Sequence, residues 1–157
     1  MIKLLVVDDE VGICEILKKT FGSIGFTVLT ATNGQDALSI VNKEKPKIVF
    51  VNYFDDTHQD HRVIAQASAS ATRYIKEVLY YEVPTSQNFQ PDIFVDIAGV
   101  LDKKLELLKI HASQIDKTKV EDLTILESVR SCAIFRGYQG RVKYAEGFKA
   151  IRIMREI

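Results

Sequence analysis

The sequence contains no tryptophan, only two cysteines and no excess of either charge. The 21 Lys and Arg residues balance 21 Asp and Glu residues, so the basic surplus typical of nucleic-acid binding is missing and we expect no nucleic-acid partner. No apolar run approaches the roughly 20 residues that a bilayer span needs, and the first run meets acidic residues too early for a signal peptide. We therefore expect a cytoplasmic protein without a membrane partner.

The two cysteines lie in segments with helical spacing of apolar residues. For Cys14 and Cys132, two buried reduced thiols are a better interpretation than a disulfide or a metal-binding pair.

Short runs of branched residues alternate with segments of helical periodicity along all 157 residues, a length that suits a single domain. Strands are predicted at about 2–7, 26–31, 47–52, 78–83, 93–97 and 148–154, and helices at about 13–24, 34–45, 58–74, 100–111 and 120–133. The first strand is expected to be central and buried on both faces. Thr57 and Asp60 have the spacing of a capping box at the third helix, and Gly25 is expected to end the first one.

This alternation predicts an α/β fold, a three-layer αβα sandwich around a mostly parallel sheet of flavodoxin-like or Rossmann-like type. Ligands of such sheets bind at the carboxyl ends of the strands. Asp8, Asp9, Asn52 and the loop that carries His58 and His61 follow those ends, so we expect them to converge on one crevice.

The first part of the chain, about residues 1–46, resembles a response-regulator receiver domain. The resemblance is carried by VVDDE after the first apolar run and by ATNGQDAL after the second strand. It implies that Asp8 and Asp9 hold magnesium, since hard carboxylates bind hard cations. Asn52 stands at the phosphoacceptor position, and an amide cannot act as the carboxylate nucleophile. The receiver's downstream hydroxyl residue and Lys-Pro pair are also missing, so we expect no phosphorylation.

The second part, about residues 47–157, resembles the LmbE-like or PIG-L-type family of zinc-dependent N-acetylglucosaminyl deacetylases. The resemblance is carried by DDTHQDHRVIAQASASATR, YYEVP, FVDIAGVLDKKLELLKIHASQ and FRGYQGRVKYAEGF, in that order to residue 148. It implies that His61 is a zinc ligand, with His58 as its catalytic or orienting neighbour. Aligning VVDDE on the family's first motif makes Asp9 a ligand and Asp8 the general base, with Val6 where the family has its first histidine.

Both families place the strand that begins near residue 47 beside the first strand. A joint near residue 46 would keep a sheet order of 2-1-3-4, followed by short C-terminal strands. Such a joint is typical of an engineered recombinant, and a natural gene fusion is the alternative.

The combined resemblances predict a chimeric domain without efficient catalysis that binds zinc or another divalent cation weakly. One alternative is a zinc-dependent N-deacetylase with an altered metal site, acting on an N-acetylglucosamine-type small molecule. The other alternative is a receiver-like signalling module that is not phosphorylated. A homodimer is possible if a missing sheet edge leaves apolar surface exposed.

Each candidate residue also has a purely structural interpretation. Asp8 and Asp9 could cap the first helix, and His58 and His61 could mark an exposed helix start. For Asn52 a plain strand-end amide is favoured. Simple roles are expected for three further sites: a helix-end histidine at His111, a rim acid at Glu146 and a solvated helix face at Lys103–Lys104.

Overall fold

The computed structural model describes residues 3–23, 25–110 and 120–154. The strands are β1 (Lys3–Val7), β2 (Thr27–Ala31), β3 (Ile48–Asn52), β4 (Glu77–Tyr81), β5 (Ile93–Asp96) and β6 (Ala145–Ile153). The helices are α1 (Val11–Ser23), α2 (Gly34–Glu44), α3 (Gln59–Ala71), α4 (Leu101–Ile110) and α5 (Ile125–Gly140). The chain divides into two compact units, Met1–Lys47 and Ile48–Ile157.

The first unit is a parallel β1-β2 pair with α1 and α2 packed on it. Gly25 ends α1 as predicted, because its positive φ of 97° is a conformation that side chains with a Cβ rarely adopt. Asn33 caps α2 by accepting a hydrogen bond from the backbone N–H of Asp36 at 2.8 Å.

The second unit is built on a four-stranded sheet of order β3-β4-β6-β5. Strand β4 pairs parallel with β3, whereas β6 pairs antiparallel with both β4 and β5. The chain leaves the end of β5 through α4 and returns to it through α5, so β6 starts beside that end and runs in reverse. The start of α5 is fixed by a capping box in which Thr124 and Glu127 satisfy each other's backbone N–H groups.

Two apolar clusters attach the helices to this sheet. One is formed around Val51, Ala65 and Val78, which joins α3 to β3 and β4. The other joins α4 and α5 to the chain after β5, and its buried members are Ile97, Leu101, Leu105 and Ala133.

The α/β class is confirmed, while the arrangement of strands differs from the expectation in detail. The predicted neighbours 2-1 and 3-4 are each observed as a parallel pair. Among the described strands, however, the first pair forms a sheet in the first unit and the second pair belongs to a separate sheet in the second unit. The second sheet is mixed rather than mostly parallel, and its last strand is nine residues long rather than short.

Three further expectations are wrong. The first strand is not buried on both faces, since its residues are half-buried or exposed and Val7 is 51% exposed. Thr57 does not cap α3, because His58 occupies the N-cap position. Both cysteines are free as expected, but only Cys14 is buried and Cys132 is exposed.

No helix among the described residues is long and apolar enough to cross a membrane.

Candidate functional site

The loop between β3 and α3 is organised around a buried carboxylate, Asp56. This residue is 3% exposed, and its side chain has no solvent-accessible surface. Its Oδ1 accepts a hydrogen bond from the backbone N–H of His58 at 2.8 Å, and its Oδ2 accepts one from the hydroxyl of Ser86 at 3.0 Å. Asp56 and Ser86 also form an isolated antiparallel bridge, which ties this loop to the loop after β4.

His61 lies in the first turn of α3 with its Nδ1 facing this carboxylate. The distance from His61 Nδ1 to Asp56 Oδ2 is 3.3 Å, and the side chain of His61 is 31% exposed. The buried Nδ1 makes no hydrogen bond within the described residues, so its contact with Asp56 is an electrostatic one. A carboxylate at Nδ1 favours the tautomer protonated there and leaves the lone pair of Nε2 available to bind.

His58 stacks on His61 and is the more exposed of the two. Their ring centroids are 4.6 Å apart, with 28° between the planes. The side chain of His58 is 55% exposed and makes no capping bond, although His58 is the N-cap residue of α3. Its own backbone N–H, one of the four at the helix start that lack a partner within the helix, donates to Asp56.

Arg62, which lies in α3, forms hydrogen bonds to the backbone of the same loop. Its Nη1 donates to the carbonyl oxygens of Asp56 and Thr57, at 2.6 and 2.8 Å. On the other side, the backbone N–H of Thr57 donates to the carbonyl of Thr85 at 3.1 Å. The loop that presents the histidines is therefore held by hydrogen bonds on both flanks.

The environment of Asp56 favours its ionised form. Burial by itself would raise the pKa of this carboxyl. The hydrogen bond from the His58 backbone opposes that effect, as do the side chains of Thr85, His61 and Ser86, and together they hold the pKa of Asp56 below its ordinary value of 3.8. An ionised Asp56 next to Nδ1 would favour a cation bound at Nε2 of His61.

Asn52, at the phosphoacceptor-equivalent position, ends β3 as a structural amide. Its Oδ1 accepts a hydrogen bond from the hydroxyl of Tyr81 at 3.0 Å, and the two residues are register partners in the parallel pair. Burial raises the pKa of Tyr81, so this hydroxyl stays a proton donor at neutral pH.

Asp8 and Asp9 follow β1 in the first unit. Asp8 Oδ1 accepts from the backbone N–H of Glu10 at 2.9 Å, a local turn just before α1. Asp9 is exposed. Asp8 and Asp9 belong to one unit and Asn52, His58 and His61 to the other, so the convergence of the two sets on one crevice stays a prediction.

The described residues match only in part the zinc site that the resemblance to the deacetylases implies. The carboxylate behind His61 is the support that metal-binding histidines usually have. A catalytic zinc needs three protein ligands, however, and within each unit no group of three or more described His, Cys, Asp or Glu side chains gathers around a common point. His61 therefore fits as a single ligand. The described residues of either unit, taken alone, do not form a complete catalytic zinc site.

A second buried charged group lies in the YYEVP and FRGYQG segments. Arg136 is 8% exposed and binds Glu82 through two parallel hydrogen bonds, both of 2.6 Å. Its Nη1 also donates to Gln139 at 2.8 Å, and its guanidinium lies 5.5 Å from the ring centroid of Phe89. The hydrogen bond with Glu82 raises the pKa of Arg136, so the guanidinium stays charged. It links the loop after β4 to α5.

The remaining candidates are two lysines, an acid and a histidine. Lys103 is exposed as expected. Lys104 forms an ion pair with Glu146, so the lysine is more than a solvated helix residue and Glu146 is a paired acid. His111 lies outside the described residues.

The sequence interpretation missed Asp56, Ser86, Glu82 and Arg136 as site-forming residues. A signal for Asp56 was present, because it closely follows a strand and stands two residues before His58. No comparable signal marks Arg136 and Glu82, which are 54 residues apart and meet only in the fold.

No family model matches the chain. Fifty residues are 48% identical to the probable transcriptional regulator ycf27 of Porphyra purpurea, which covers 32% of this chain and 21% of that protein. Fifty residues are 42% identical to sporulation initiation phosphotransferase F of Bacillus subtilis, covering 40% of that protein. The match thus spans about a fifth of the first of these relatives.

Solved structures resemble the chain over nearly its whole length. The conserved protein TT1542 from Thermus thermophilus has a TM-score of 0.69 at 15% identity, covering 99% of this chain and 83% of that one. The N,N'-diacetylchitobiose deacetylase from Pyrococcus horikoshii has a TM-score of 0.67 at 18% identity, covering 95% and 72%. At such identities the likeness shows the α/β fold. Together, the comparisons show a receiver-like stretch in a chain whose fold is like that of a deacetylase.

Proposed function

We propose that this chain is a hybrid α/β protein that binds a divalent cation weakly through His61 and does not hydrolyse amides efficiently. The observation that carries the proposal is the 3.3 Å contact between His61 Nδ1 and the buried carboxylate of Asp56. A carboxylate at Nδ1 is the support that metal-binding histidines usually have, and it leaves Nε2 as the nitrogen that can bind a metal.

Weak binding is expected because one supported imidazole does not make a closed or catalytic zinc site. Structural zinc sites contribute roughly 10–16 kcal/mol of binding free energy, so even the weakest of them corresponds to a Kd of about 50 nM. With fewer ligands we expect a Kd of about 1 µM or higher. Slow or absent hydrolysis follows from the same deficit, because a lone ligand neither fixes the metal's geometry nor leaves it next to a positioned base.

The test is a calorimetric zinc titration of the full chain and two variants. His61→Ala removes the proposed ligand and should abolish binding. His58→Phe is the matched control, because it keeps an aromatic ring to stack on His61 and removes only the imidazole nitrogens, so it should bind zinc as the parent does. Zinc binding that survives His61→Ala would overturn the proposal.

A second candidate is a zinc-dependent N-deacetylase with an altered metal site, favoured by the overall likeness to the Pyrococcus horikoshii enzyme. In that function Asp9 and His61 would hold the zinc, and Asp8 would act as the base. The discriminating assay is release of free amine from N,N'-diacetylchitobiose by the zinc-loaded chain. We expect no turnover above the zinc-free background, whereas turnover that His61→Ala removes would favour the deacetylase.

The receiver-like first unit suggests magnesium binding at Asp8 and Asp9 as a separate property. We propose that it is weak as well, since Asp8 Oδ1 is already engaged by the Glu10 backbone. A signalling role by phosphorylation at Asn52 is not proposed, because an amide forms no acyl phosphate.

A further inference from the structure

A groove of about 800 Å³ opens in the second unit, bordered by the sheet and α5. The strands contribute Phe50, Tyr81 and Phe148, and the helix contributes Val129, Cys132 and Phe135. Most of these side chains are apolar, and the volume falls within the range of small-molecule sites, about 300–1,000 Å³. The groove shares Ser86 with the support of the histidine loop, but neither His58 nor His61 lines it, so the inference goes beyond the proposed function.

Two aromatic rings in the groove are held in place and yet remain open to solvent. Phe50 is 54% exposed and packs on Phe148, with ring centroids 5.4 Å apart. Phe135 is 56% exposed, and the guanidinium of the buried Arg136 lies 5.2 Å from its ring centroid. A ring fixed on one side and exposed on the other can stack on a ligand without losing much side-chain entropy.

The charged groups that line the groove are all paired within the chain. Glu82 is bound by Arg136 through two hydrogen bonds, and Lys104 pairs with Glu146. A charged ligand would have to lose its hydration without gaining a counter-charge, whereas an uncharged ligand loses nothing of that kind. The thiol of Cys132 fits the same environment. Although the residue as a whole is exposed, partial desolvation of its sulfur and the nearby Glu82 raise the pKa of the thiol to about 11 and keep it neutral.

We propose that this groove binds a small uncharged ligand with a flat apolar body, stacked against Phe135 and Phe50. Apolar walls provide the affinity, and the paired charges at the rim select against ions.

Two fluorescent probes that share one aromatic body test the proposal directly. N-phenyl-1-naphthylamine is uncharged, and 8-anilino-1-naphthalenesulfonate adds a sulfonate to the same rings. The full chain should bind the uncharged probe saturably at one site and more tightly than the sulfonate. Equal or tighter binding of the sulfonate would overturn the proposed selection against charge.

Two variants on α5 locate the binding. Phe135→Ala removes a ring of the groove, and Ile134→Ala is the matched control, because Ile134 is 50% exposed and lies outside the groove. Phe135→Ala should raise the Kd of the uncharged probe about five- to tenfold. Ile134→Ala should change it by no more than about twofold. Equal effects of both, or no saturable binding by the parent, would overturn the site.

A third variant tests the role of the ion pair. Glu146→Gln frees the ammonium of Lys104, so binding of the sulfonate probe should strengthen by about two- to fivefold while the uncharged probe is unaffected. An unchanged ratio of the two affinities would contradict the charge argument.

Discussion

Replacing Asp56 by asparagine removes the negative charge at the centre of the histidine loop and keeps the shape of the side chain. In the native protein, Asp56 accepts hydrogen bonds from the His58 backbone and from Ser86, and its second oxygen faces His61 Nδ1. An asparagine keeps one acceptor oxygen and turns the other position into an N–H donor. That donor would face either the backbone N–H of His58, which can only donate, or Ser86 and His61, whose hydrogens would have to move before they could accept.

The size of the effect follows from these contacts. A hydrogen bond to a charged group contributes about 1.5–3 kcal/mol, and a buried donor left without an acceptor costs about 1–3 kcal/mol. We therefore expect Asp56→Asn to lower the free energy of unfolding by about 2–4 kcal/mol at neutral pH. With a urea m-value of about 2 kcal/mol/M, the unfolding midpoint should fall by roughly 1–2 M.

The assay is urea unfolding followed by tyrosine fluorescence. The chain has no tryptophan, and all six of its tyrosines lie after residue 52, so the signal reports on the unit that contains Asp56. Asp55→Asn is the matched control, because this neighbouring carboxylate accepts only a more exposed hydrogen bond, from Asn88 at 3.0 Å. It should shift the midpoint by less than about 0.5 M.

The difference between parent and Asp56→Asn should also depend on pH. The pKa of Asp56 is lower in the folded protein than its ordinary value of 3.8, so ionised Asp56 stabilises the fold fully above that value. The stabilisation is lost as the pH falls below 3.8 toward the native pKa, and the two unfolding curves should approach each other there. Equal midpoints for Asp56→Asn and Asp55→Asn at pH 7 would refute the organising role of Asp56.

Three further changes test other parts of the structure. Glu82→Gln should lower the free energy of unfolding by about 3–5 kcal/mol in the same urea assay, because it leaves the buried Arg136 without its counter-charge. Glu146→Gln, which breaks the more exposed pair with Lys104, should lower it by at most about 1 kcal/mol. Gly137→Ala should destabilise the protein by about 1–3 kcal/mol, because its Cβ would lie 2.6 Å from the backbone oxygen of Lys143. Gly12→Ala in α1 would place its Cβ where nothing lies within 4 Å, so it should stabilise the first unit by about 0.5–1 kcal/mol. Thermal melts followed by circular dichroism measure both changes, and the reverse order of stabilities would contradict the packing. Acetyl phosphate should label neither the parent nor Asn52→Asp, as measured by intact mass. The hydroxyl residue and the lysine that assist the reaction in receivers are not recognisable in the sequence after Asn52. Labelling of the variant would show that one residue is enough to restore a phosphorylation site.

The sequence predicted the local elements well, because their signals are local. Periodicity placed most described helices and strands to within about three residues, although α5 begins five residues and ends seven residues after its predicted bounds. Asn33 and Gly25 marked boundaries through capping and a positive φ. It did not predict that β6 runs antiparallel between β4 and β5, because strand direction depends on how α4 and α5 return the chain.

The candidate site was predicted only in part, for a similar reason. The histidines could be named from a motif. The carboxylate of Asp56 that supports them is itself held by Ser86, which lies 30 residues further along the sequence. The exposure of Cys132 was missed because helical periodicity identifies an apolar face without showing whether a neighbour covers it. The convergence of Asp8 and Asp9 with His61 stays a prediction.

We infer that Asp56 orients His61 so that Nε2 can bind a divalent cation. Long-range proton–nitrogen spectra of the full chain, recorded with and without zinc, assign the tautomer of each of the three histidines. We expect His61 to carry its proton on Nδ1 and zinc to shift its Nε2 resonance. Asp56→Asn should weaken the zinc affinity read from this shift about 10–100-fold. A His61 ring protonated on Nε2, with no response to zinc, would show that Asp56 does not prepare His61 as a ligand.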